Sequence, residues 1–87
     1  MEWKDATSYS RDERGKDQRV PATYEAKAGP IRLCITCSHI YYKGQWVGHA
    51  FPIFKDRLLE AKTQQDAQSE LVLAVKEWVA AVASAVA

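Results

Sequence analysis

ATYEAKAGPIRLCITC, residues 22–37, holds two alternating runs on either side of one Gly-Pro. Ala22, Tyr24, Ala26 and Ala28 alternate with Thr23, Glu25 and Lys27. Beyond Gly29-Pro30, Ile31, Leu33, Ile35 and Cys37 alternate with Arg32, Cys34 and Thr36. A period of two is the period of a strand, whose side chains point to opposite faces in turn. Glycine in the first turn position takes the positive φ of a type II′ turn without strain, and proline can follow it. A two-residue turn sets Ala28 opposite Ile31, Ala26 opposite Leu33, Tyr24 opposite Ile35 and Ala22 opposite Cys37. All four pairs are apolar on both sides. The other face pairs Lys27 with Arg32, Glu25 with Cys34 and Thr23 with Thr36. Turn chemistry and both alternations agree on an antiparallel hairpin with one face turned to a core.

A second hairpin follows. The strand from Ile31 extends to Tyr41, and Trp46 to about Ile53 forms its neighbour across Tyr42-Lys43-Gly44. Lys-Gly is a poor type I′ pair, whereas glycine in third place is the mark of a three-residue bulged loop. That loop sets Cys37 opposite His49. It places Val47, Phe51 and Ile53 on the core face, and Tyr42 and Trp46 on the face away from it. A turn at Lys55-Asp56-Arg57 leaves Leu58-Leu59-Glu60-Ala61 as a short fourth strand.

The chain then changes period. Thr63 followed by Asp66 reads as a capped helix start. Ala67, Leu71, Ala74/Val75, Trp78, Val82 and Ala85 recur at three- and four-residue spacing, with no glycine or proline from Thr63 onward. The expected fold class is α+β: a three- to four-stranded antiparallel β-sheet, in the order β-β-β-(β)-α, with one C-terminal helix packed on one face. Residues 22–87 form this single domain. Residues 1–21 read as a charged, partly irregular N-terminal arm. They hold ten of the chain's 23 charged residues and show neither period, while Trp3 and Tyr9 can tack the arm to the body or to a partner.

Composition bounds the function. Of 87 residues 47% are hydrophobic and 26% charged, an ordinary globular balance. A net charge of +1 argues against a protein that lives by general attraction to phosphates, so nucleic acid is not the expected partner. Two cysteines make no disulfide framework, the opening residues read as no secretory signal, and the apolar run from Trp78 to Ala87 is about half a membrane span. A cytoplasmic location with reduced thiols, and no membrane partner, is expected.

Both cysteines and both histidines fall between Cys34 and His49. In an extended strand Cys34 and Cys37 point to opposite faces. Ile35-Thr36 between them favours a strand over the turn that a zinc knuckle needs. The three-residue loop brings Cys37, His39 and His49 onto one face, and these are the metal-ligand candidates. That face is also the core face, so they read as a buried, hydrogen-bonded imidazole beside a buried thiol. No catalytic residue, metal or cofactor is expected, because no third group is placed to orient a Cys–His pair.

Tyr42 and Trp46 near the hairpin tip, with Trp3 and Tyr9 of the arm, are the candidate partner-binding residues, since exposed aromatics anchor interfaces. Val72, Val75, Val79 and Val86 make a second apolar stripe beside the first. That is wider than one small sheet covers, and it predicts a two-fold homodimer with antiparallel helices.

The line from Trp3 to His49 resembles a group of small phage and prophage proteins. They share a W-x-(D/E)-x-(S/T)-S-Y-S-type opening, a charged patch and a proline, then C-x-H-I-x-Y-x-G-x-W-V-x-H and an Ala/Val-rich closing helix. The matching positions are Trp3, Ser8, Tyr9, Pro21, Cys37, His39, Ile40, Tyr42, Gly44, Trp46, Val47 and His49. The resemblance implies a phage or prophage accessory protein and no activity. The passage from Gly44 to Glu70 also resembles the sheet-to-helix unit of ethylene-response-type and integrase arm-binding DNA-binding domains, and that of HicB-type antitoxins. The expected function is therefore non-enzymatic: binding a host or phage protein, with a host defence or replication complex as the candidate target. The alternatives are a sheet-face nucleic-acid-binding module and, after it, a metal-dependent enzyme.

Overall fold

A computed structural model describes residues 1–7, 22–39 and 41–86 of the chain. The hairpin at Gly29-Pro30 forms as the alternation requires. β2 (Thr23–Ala28) pairs with β3 (Ile31–Thr36) in the expected register, from Ala28 opposite Ile31 to Thr23 opposite Thr36. Gly29 has φ +60°, the value that makes glycine the natural residue there. Cys37 N–H donates to the Ala22 carbonyl at 2.9 Å and extends the ladder by one step.

Among the described residues the sheet has five strands, more than the expected three or four. β1 (Lys4–Asp5) flanks β2, and β4 (Val47–Phe51) and β5 (Phe54–Leu58) continue from β3, all antiparallel and in chain order. The extra strand comes from the arm. Thr7 holds it: its hydroxyl accepts from the backbone N–H of Ala22 (2.9 Å) and Thr23 (3.0 Å) and donates to the Asp5 carboxylate at 2.6 Å. Residues 8–21, Tyr9 among them, lie outside the described residues.

Two local expectations are corrected. The turn before the last strand is at Pro52-Ile53, closed by Ile53 N–H donating to the Ala50 carbonyl at 2.6 Å, so Lys55-Asp56-Arg57 are strand and not turn. The β3–β4 register is also different: His49 stands opposite Cys34, not Cys37, and Leu33 opposite Ala50, Ile35 opposite Gly48. β3 ends at Thr36, and the connection runs from Cys37 to Trp46. It is folded by its own backbone bonds: Gly44 N–H to Cys37 carbonyl, Tyr42 N–H to His39 carbonyl and Gln45 N–H to Tyr42 carbonyl. A register shift by an odd number of residues turns a strand over. Gly48 and Ala50 therefore face the helix, and Val47, His49 and Phe51 face away.

The core lies between the sheet and α1 (Gln64–Ala85). It gathers Ala26, Leu33, Ile35 and Ala50 from the strands, Leu59 from the connection, and Ala67, Leu71 and Val75 from the helix. Leu33, Ile35 and Leu71 are at most 1% exposed, each worth about 1.5–3 kcal/mol in surface removed from water. Trp3 packs on the same cluster from beside β2. Thr63 caps the helix as expected, its hydroxyl accepting from Asp66 N–H at 3.2 Å. Glu70 ties down the strand-to-helix connection, its carboxylate accepting from the backbone N–H of Glu60 (3.1 Å) and Ala61 (3.0 Å). Beyond Val75 the helix leaves the sheet, and every residue from Lys76 to Val86 is exposed.

Candidate functional site

Turning β4 over gives the outer face of the sheet a row of reactive side chains. Lys4, Glu25, Cys34 and His49 stand in line across β1 to β4. Opposed residues on one face have β-carbons about 5 Å apart, so the Cys34 thiol sits between a carboxylate and an imidazole. Burial pushes that thiol's pKa up, and the Glu25 carboxylate pushes it further the same way. A thiol so placed holds its proton, the opposite of what a nucleophilic cysteine requires. Around Glu25, Cys34 and His49 lies an open depression of about 370 Å³, lined by Arg32, Thr36, Val47, Phe51 and Asp56 as well.

The Cys37–Trp46 connection closes one end of this face. His39 Nδ1 accepts from Tyr41 N–H at 3.1 Å, which leaves the ring proton on Nε2. Nε2 faces the Asp56 carboxylate at 3.6 Å, a contact that reaches over from the loop to β5. The imidazole also lies against both tyrosine rings, with centroids 5.8 Å from Tyr41 and 5.3 Å from Tyr42. Asp56 meets it from a bulge in β5, where its φ is +45°. The outcome is a braced aromatic knob: Tyr41 is 82% exposed and Tyr42 39% exposed, on a loop held by its own hydrogen bonds. Phe51 and Leu58, both about half exposed, continue the apolar surface across the outer face.

The predicted site residues fall in several places. Tyr42 is on the exposed knob. Trp46 is not: it packs against the core cluster, on the side of Gly48 and Ala50, and the expectation that it faces away from the helix is overturned by the β4 register. Trp3 packs on that cluster too. Cys37, His39 and His49 do not share a face. His49 is beside Cys34, His39 is in the knob, and among the described residues no three His, Cys, Asp or Glu side chains are grouped to hold a metal ion. Of the four valines assigned to a helix interface, Val75 is buried in the core and Val72 packs on it, while Val79 and Val86 are exposed. Sequence reasoning misses Tyr41, Phe51 and Leu58. The signal for Phe51 is the small pair Gly48 and Ala50, which only a strand facing a close helix carries inward.

Among the described residues no helix is long and apolar enough to cross a membrane. No family model, no curated protein and no solved structure matches the chain. The fold that the described strands and helix define is an α+β meander, among the described residues a five-stranded antiparallel sheet with one C-terminal helix.

Proposed function

We propose that this is a non-enzymatic protein-binding protein whose working surface is the outer sheet face with the Tyr41–Tyr42 knob, acting as a phage or prophage accessory protein on a host or phage protein. The observation that carries the reading is the bracing of the knob. A tyrosine 82% exposed, beside a second ring, on a loop held by backbone bonds among its described residues and by a clamped histidine is preorganised for contact, so little ordering entropy remains to be lost on binding. Tyrosine is among the residues that dominate interface energetics. The chemistry of the row beneath supports binding over catalysis, because its thiol is held protonated. The resemblance to phage proteins supports the accessory role, and a cytoplasmic setting goes with it.

The runner-up is a nucleic-acid module reading with the same face. Lys4, Lys27 and Arg32 favour it, while Glu2 and Glu25 join them around a second depression, on the β1–β3 side of the sheet, and offset them. Metal-dependent enzyme is the last reading. Capture from a bacterial lysate decides among these. The full chain is expected to retain a protein that the Tyr41→Ala/Tyr42→Ala double variant retains at least tenfold less. Capture unchanged by the double variant, or DNA binding that falls steeply with salt, contradicts the proposal.

A further inference from the structure

The stripe that seats α1 on the sheet does not stop where the sheet stops. Ala67, Leu71, Ala74 and Val75 are buried, and the same three- and four-residue spacing continues through Trp78, Val82 and Ala85, all exposed. Trp78 is 45% exposed, Val79 46%, Val82 41% and Val86 78%. At 1.5 Å per residue, Trp78 to Ala85 projects ~12 Å of apolar helix with nothing of the described chain over it.

We propose that this overhang packs antiparallel against the overhang of a second copy of the chain, about a two-fold axis at Val82. Three features select a second copy. The segment from Trp78 to Val86 carries no ionisable side chain, so two copies meet without like charges, and a partner recognised by charge finds nothing to grip. An axis at Val82 sets Trp78 of each copy against Val86 of the other, the largest side chain against the most exposed one, with Ala81 and Ala85 letting the backbones approach. A contact made by partly exposed side chains over this short stretch is small, no more than the floor of about 1,000 Å² for a specific interface, and fits a weak dimer of equals. This surface is separate from the Tyr41–Tyr42 knob, so the dimer stands or falls apart from the proposed function.

Sedimentation equilibrium on the full chain from about 10 to about 500 µM tests it, a span suited to a weak dimer. The mass is expected to rise from the 9.8 kDa monomer toward twice that value. Val82→Glu, outside the core, is expected to keep the far-UV spectrum and weaken association at least tenfold. In a Cys34→Ser/Cys37→Ser background, Val82→Cys is expected to cross-link to itself with oxidised glutathione, and Ser84→Cys, on the opposite side of the helix, is not. A monomer at the highest concentration, association unaffected by Val82→Glu, or equal cross-linking of the two cysteine variants overturns the inference.

Discussion

A β-carbon on Gly48 would stand 3.0 Å from Cδ1 of Leu71 and 3.2 Å from Cδ2 of Leu59. Strand and helix thus approach each other as closely as glycine permits. Leu71 is 0% exposed and Leu59 5% exposed, so both leucines must give within the core to admit a methyl group. Gly48→Ala is expected to cost about 1–3 kcal/mol by overpacking, read as a lower urea midpoint with an unchanged slope.

Glu70 holds the connection between β5 and α1 through the backbone N–H groups of Glu60 and Ala61. Removing an acceptor that is a carboxylate costs more than removing a neutral one. Glu70→Ala is expected to destabilise by about 1.5–3 kcal/mol in urea titration, and Glu70→Gln, which keeps one oxygen, by less.

The elevated pKa of Cys34 makes an alkaline prediction. Its ordinary value is 9.0 and the folded value is higher. The folded state therefore binds the thiol proton more tightly than the unfolded state does. This contribution is complete below about pH 9 and is lost as pH rises from there through the folded value. Stability is expected to fall over that window in the parent and to fall less in Cys34→Ala. Alkylation of Cys34 by iodoacetamide at about pH 8 should also run slower than that of a free cysteine, followed by peptide mass spectrometry.

His39 braces the knob by accepting one hydrogen bond. His39→Ala removes that acceptor, and the amide of Tyr41 is expected to exchange about fivefold faster, the scale of one hydrogen bond of about 1 kcal/mol. Core amides of Leu33 and Ile35 should be unaffected.

Legibility follows how much of each element is specified locally. The β2–β3 hairpin is readable because Gly29-Pro30, the two alternations and the apolar pairing all require one register. The cap at Thr63 is readable for the same reason. The second hairpin is not. Gly44 suggests a tight loop, but His39, Tyr41 and Tyr42 make a longer folded connection whose support comes from Asp56, well beyond the loop in sequence. Hydrophobic count misleads for Phe51, which is about half exposed; Val47 is buried at 2% exposure, but on the face opposite Gly48 and Ala50. Trp46 is misplaced by the same error. β1 escapes notice because two residues are too few to show a period, and the Thr7 hydroxyl that secures them acts across a long stretch of chain.

The whole character of the outer face depends on which residue stands opposite His49. Interstrand NOEs in the full chain measure this directly. Backbone contacts linking Cys34 with His49 and Thr36 with Val47 are expected. Contacts linking Cys37 with His49 instead would return His49 and Val47 to the helix side, and the proposed binding face would be lost with them.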